Sequence, residues 1–137
     1  MIHKELSNKT INAFFKVYNT LGHGFLEKVY HNAMILELEK RALDFESEYH
    51  VEVIYEGTSI GHYIADIIVD GKLILELKNC ARLSDSHKCQ LMNYLRATNI
   101  ELGLLFNFGK TPEFKRVICT NDWRNTNSLP HREPHQN

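Results

Sequence analysis

Hydrophobic patterning along the chain predicts an α+β fold in which a central mixed β-sheet is flanked by helices. Three observations carry that prediction: apolar residues at helical spacing up to about position 41, strand-like apolar runs between 45 and 77 and again beyond 102, and one further helical stretch between those strand groups. The 137 residues, 43% of them hydrophobic, suffice for one domain with its own core.

The elements follow in order. Ser7 or Asn8 is placed to cap a first helix, whose apolar positions Ile11, Phe14, Phe15, Tyr18 and Leu21 share a face before Gly22 stops it. A second helix is expected from about Phe25 to Arg41. Leu26, Val29, Tyr30, Ala33, Met34, Leu36 and Leu38 give it a broad apolar face, and Glu37, Glu39, Lys40 and Arg41 face solvent. Three strands come next, over Phe45–Tyr55, Ile60–Val69 and Lys72–Leu77, with turns at Gly57 and Asp70-Gly71. Ser84 or Asp85 caps a third helix running to about Thr98, and two last strands are expected at Leu102–Phe106 and Phe114–Cys119. Residues 1–120 are thus expected to form the domain and 121–137 a polar C-terminal tail, with Pro130 and Pro134 and little to bury.

Composition narrows the functional classes. Sixteen Lys and Arg against seventeen Asp and Glu give a net charge of -1, so any attraction to nucleic acid must be local. Basic residues do gather in the second half, including Arg82 and Lys88 around the third helix. Cys80, Cys89 and Cys119 form no C-x-x-C pair and leave an odd count, which argues against a disulfide framework and for a reducing, cytoplasmic setting. No apolar stretch nears the roughly 18 residues that a membrane span needs, so no membrane partner is expected.

Charge inside the strands is the exception to this ordinary pattern. Within ADIIVDGKLILELK, Asp66, Glu76 and Lys78 interrupt apolar runs that otherwise read as central strands. Ions taken out of water there need a partner or a metal. Glu76 and Lys78 project from one strand face because they lie two apart. Asp66 joins them only if the turn after Val69 has an odd number of residues; a clean two-residue turn sends it to the other face. On a shared face, two carboxylates against one ammonium leave negative charge that Mg²⁺ or Mn²⁺ neutralises, since both favour oxygen ligands. A purely architectural ion pair between Lys78 and one of the acids is the competing explanation.

Other candidates are weaker individually. Glu27 suits a helix start, Tyr30 and Tyr94 suit a core with wetted hydroxyls, and Gln90 suits a helix surface. His131 and His135 are four apart, but Pro134 opposes the helix that would align them, and no histidine and acid are arranged for catalysis around Cys80 or Cys89. His87 at the third helix start admits either phosphate contact or ordinary solvation.

Taken in order, Gly24-x-x-Glu27-x-x-Tyr30, Asp66, Glu76-x-Lys78 and Gln90-x-x-x-Tyr94 resemble the PD-(D/E)XK nuclease superfamily, especially its RecB-like branch and the small GxxExxY family. The resemblance covers about residues 5 to 119 and implies a restriction-endonuclease-like core. It implies that Asp66 and Glu76, with the backbone carbonyl of Leu77, hold Mg²⁺ or Mn²⁺, and that Glu27 completes or orients the shell. It implies that Lys78 positions or activates the attacking water, that Gln90 orients Lys78 or the nucleophile, and that Tyr94 packs nearby or meets the nucleic-acid backbone. Tyr30, Arg82 and Lys88 are the further candidates for nucleic-acid contact. Ala65 stands where the superfamily's name has proline. The expected activity is metal-dependent hydrolysis of phosphodiester bonds, with DNA as the expected substrate. The alternatives are a catalytically silent nuclease-fold module that binds nucleic acid or protein, and a structural dimer whose charges form an ion-pair network.

Overall fold

The computed structural model describes residues 2–120, so the expected tail at 121–137 lies outside the described residues. Its order is α1 (Lys4–Leu21), α2 (Glu27–Lys40), β1 (Phe45–Tyr55), β2 (Thr58–Val69), β3 (Leu73–Lys78), α3 (Asp85–Arg96), β4 (Leu102–Asn107) and β5 (Glu113–Ile118). The strands form one sheet in the order β1-β2-β3-β4-β5, with β3 and β4 parallel and every other pair antiparallel. Helix α3 is the crossover between the two parallel strands, as a parallel pair requires. The expected mixed sheet flanked by helices is therefore present. Among the described residues, no helix is long and apolar enough to cross a membrane.

Alternation along β3 builds a core on each side of the sheet. Leu73, Leu75 and Leu77 point toward α1 and α2, where they join Phe14, Met34, Leu38, Leu104 and Phe106. Ile74 points the other way, with Ile68, Leu91, Leu95 and Leu105. Each fully buried aliphatic side chain contributes about 1.5–3 kcal/mol. Two aromatic stacks bind the helix pair to the sheet side: Phe14 on Phe106 at 4.5 Å and Tyr30 on Phe108 at 4.4 Å. On the opposite side Gly103 lets α3 come close, since a Cβ there would sit 2.8 Å from the Leu91 side chain.

Burial revises several sequence expectations. Helix α1 starts a turn before Ser7, behind His3 in the left-handed region, because Ile2 and Leu6 pack against the core and extend the helix. Ser7 is consequently buried in mid-helix rather than serving as the cap. The apolar face of α2 is narrower than its composition implies: Leu26 is 78% and Leu36 58% exposed, while Tyr30, Met34 and Leu38 are fully buried. Glu37, expected in solvent, is buried and gripped by Arg41 at 2.6 Å, which holds its carboxyl below the usual range. Ser84 does cap α3, through a reciprocal box with His87, so the His87 ring accepts from the Ser84 N–H. Cys80, Cys89 and Cys119 are not joined in a disulfide.

Candidate metal and phosphodiester site

The site begins at a turn. Val69 pairs with Leu73, so three residues, 70–72, connect β2 to β3, and Lys72 N–H closes the loop on Val69 O at 2.9 Å. Asp70 (φ 57) and Gly71 (φ 64) both occupy the left-handed region that Asp and Gly tolerate best. The odd count satisfies the parity condition. Continuing the register of Ile67 with Leu75 sets Asp66 opposite Glu76.

At that point side chains replace the backbone ladder. Asp66 N–H donates to Glu76 Oε1 at 3.1 Å, and Leu77 N–H donates to Asp66 Oδ2 at 2.7 Å. The two strands thus fork around a pair of carboxylates, each keeping a second oxygen. Opposite the fork on β1, Glu48 takes a left-handed φ of 53, a conformation that costs a non-glycine residue about 1–2 kcal/mol.

Each flanking layer contributes to the fork. From the α2 side, Glu27 opens the helix and lines a cavity of about 330 Å³ with Asp66, Leu77, His31 and Ser47. From the α3 side, Gln90 Oε1 accepts from Lys78 Nζ at 3.4 Å. Tyr94 packs under the same helix, its hydroxyl pushed up to about 12 by burial and by the charges of Glu76 and Asp66. Arg82 and Lys88 are exposed near the start of α3, Lys88 pairing with Asp85 at 3.4 Å.

Tyr30 needs correction. It is fully buried, stacked on Phe108, its hydroxyl donating to Gly22 O at 2.6 Å and accepting from Phe25 N–H at 3.3 Å. That leaves it no surface to offer nucleic acid; it pins the loop that delivers Glu27.

Electrostatics distinguish this cluster from an architectural ion pair. Among the described residues, Lys78 forms no ion pair, and its recorded partner is an amide. Burial, followed by the Asp66 charge, pushes Glu76 up to about 9. Glu27 is exposed as a residue, yet partial desolvation of its carboxyl and the same Asp66 charge raise it as well. Ionising all three carboxyls would therefore leave negative charge that Lys78 alone does not offset.

The donor set fits a hard divalent cation. Carboxylate oxygens of Asp66 and Glu76, with the Leu77 carbonyl, match the oxygen preference of such ions, and Glu27 shares a cavity with Asp66 and Leu77. Among the described residues no three His, Cys, Asp or Glu side chains converge as a ready-made cage. Mg²⁺ sites generally keep several waters, so a two-carboxylate core suits it better than a closed protein shell.

Sequence reasoning missed four contributors. His31 lies one turn beyond Glu27, a spacing that signals a shared face, and its Nε2 meets Ser47 Oγ at 2.8 Å. Ser47 is brought by long-range pairing that leaves no local signal. Asn79 Nδ2 donates to Phe25 O at 2.6 Å, tying the end of β3 to the loop before Glu27. Asn107 is fully buried and brackets Cys80, accepting from its N–H at 3.0 Å and donating to its carbonyl at 2.9 Å.

Residues 4–117 match the family model of the PD-(D/E)XK nuclease superfamily. No curated protein matches the chain. The crystal structure of SSO0001 aligns at 15% identity with a TM-score of 0.49, covering 85% of this chain and 57% of that one. This chain therefore spans less than two thirds of that protein's length.

Proposed function

The chain belongs to the PD-(D/E)XK nuclease superfamily, and on that premise we propose that it is an active, Mg²⁺- or Mn²⁺-dependent nuclease cutting DNA, of the RecB-like branch and its GxxExxY family. The observation that carries the proposal is the uncompensated carboxylate pair at the strand fork, with Lys78 beside it and not spent on an ion pair. An architectural cluster is expected to neutralise itself; this one keeps its lysine for a ligand.

Asp66 and Glu76, with the Leu77 carbonyl and Glu27, would hold the divalent ion. When bound, such an ion offsets charge on the scissile phosphate and makes water a better nucleophile. Lys78 Nζ stands ready to donate to a nonbridging phosphate oxygen or to the attacking water. Gln90 restrains that ammonium through its carbonyl oxygen. The Asp66 hydrogen bond to Leu77 N–H fixes the carboxylate's orientation before any ligand arrives. Arg82 and Lys88 are assigned to the nucleic-acid side, and the buried Tyr94 to packing beside the site.

The test is cleavage of single- and double-stranded DNA and RNA with Mg²⁺, Mn²⁺ or EDTA, beside Asp66→Ala and Lys78→Ala. Metal-dependent cleavage lost in both variants is the expected result. Binding without cleavage by folded wild type makes the chain a silent binding module instead.

A further inference from the structure

On the α3 side of the sheet, one side chain away from the proposed site, lies a second concavity of about 440 Å³. One wall is the ring of Tyr63 on β2, 40% exposed where β2 runs beyond its short pairing with β3 and keeps only β1 as a neighbour. Its neighbour is Tyr94, with ring centroids 5.3 Å apart and planes tilted by 49°. The facing wall is polar and belongs to α3: His87, Gln90 and Asn93.

An exposed aromatic face opposite amide groups is the combination that receives a nucleobase. The ring offers stacking to any base, and amides offer both donors and acceptors to its edge. Gln90 belongs to both places: its Oε1 is engaged by Lys78 Nζ, so its Nε2 remains to donate into the concavity. A base held there would therefore belong to a nucleotide beside the phosphate that Lys78 addresses. Bases inside a duplex have no free face to stack on a side chain, so a base seated here must be unpaired.

We propose that the concavity between β2 and α3 seats an unpaired nucleobase on Tyr63, adjacent to the scissile phosphate, so that the substrate is single-stranded nucleic acid or a single-stranded end. This rests on the nuclease reading above and adds the substrate class to it. Tyr63 acts here as a binding residue; it has no part in the bond-breaking step.

The experiment measures binding of a labelled single-stranded oligonucleotide and of its duplex by fluorescence anisotropy in Ca²⁺, for wild type, Tyr63→Ala and Tyr63→Phe. Cleavage of both substrates in Mn²⁺ is followed in parallel. Loss of one stacked base is expected to weaken single-strand binding about tenfold in Tyr63→Ala. Tyr63→Phe keeps the ring face and should stay within about twofold, and duplex binding should be equal in all three proteins. In wild type, an abasic position scanned along the strand should reproduce the loss at a single site, and Tyr63→Ala should no longer register it. Cleavage with unchanged single-strand affinity in Tyr63→Ala overturns this proposal alone, as does an equal loss for duplex and single strand. Neither binding nor cleavage of any nucleic acid by folded wild type overturns the nuclease reading together with it.

Discussion

Replacing Glu76 by glutamine should stabilise the metal-free fold at neutral and alkaline pH while removing a carboxylate on which the proposed reaction depends. Glu76 is 4% exposed, accepts from Asp66 N–H and faces the Asp66 carboxyl. Glutamine keeps the accepting oxygen and places an N–H where the protonated acid has its O–H. The sign of the pH effect follows from the raised pKa of about 9 against 4.5 for the ordinary acid. The folded chain holds this proton more tightly than the unfolded one, so the linked stability is full below pH 4.5 and drains away as pH rises toward 9. At pH 7.5, three pH units into that range, the loss is at most about 4 kcal/mol at 1.36 kcal/mol per unit. Buried charges in proteins respond as if to an effective dielectric well above that of dry protein, which reduces this to roughly half, about 2 kcal/mol. The glutamine variant should then melt roughly 6–10 °C above wild type at pH 7.5 in EDTA and match it near pH 4. Thermal melts of both proteins from pH 4 to 9 make the comparison, and their difference cancels every other titrating group. Parallel pH profiles, or a variant less stable than wild type at pH 7.5, would refute the account of Glu76.

Other outcomes test neighbouring parts of the argument. Saturating Mn²⁺ should raise the wild-type melting temperature by several degrees and leave Asp66→Ala unmoved, a binding linkage that differential scanning fluorimetry reads directly. Lys78→Ala should lower kcat by about 10²–10³-fold while changing stability by less than about 1 kcal/mol, since among the described residues its ammonium has one long hydrogen bond to lose. Tyr30→Phe should cost about 1 kcal/mol in urea unfolding, because Gly22 O and Phe25 N–H lose their shared, partly buried hydroxyl.

Much of this molecule was readable in its residues because periodicity is local. Each expected helix and strand is present in order, with ends shifted by a few residues where burial outweighed a capping signal, as at Ser7. Asp66 and Glu76 meet across the hairpin because strand alternation and turn length together determine which side chains share a face, whereas Gln90 reaches Lys78 from a helix, which no strand pattern signals. What escaped was set at long range. Tyr30 has the residue type of a surface contact and the location of a core anchor, and only the Phe108 ring above it decides between them. The breadth of apolar residues on α2 could not show that Leu26 and Leu36 lie outside the packed face. Asn79 and Asn107 are ordinary in sequence and acquire their roles through partners 54 and 27 positions away.

The three-residue loop at 70–72 lies at the far end of the hairpin from the carboxylates, yet it constrains how the gene can change. Surface loops ordinarily tolerate insertions and deletions of any length. Here a gain or loss of one residue would invert the inward and outward sides of β3 relative to β2, unless a compensating bulge arose, whereas a change of two would preserve the alternation. Length variation at this turn among related chains should therefore come in steps of two. The reading frame of the proposed site is counted in whole residues at a loop at the other end of the hairpin.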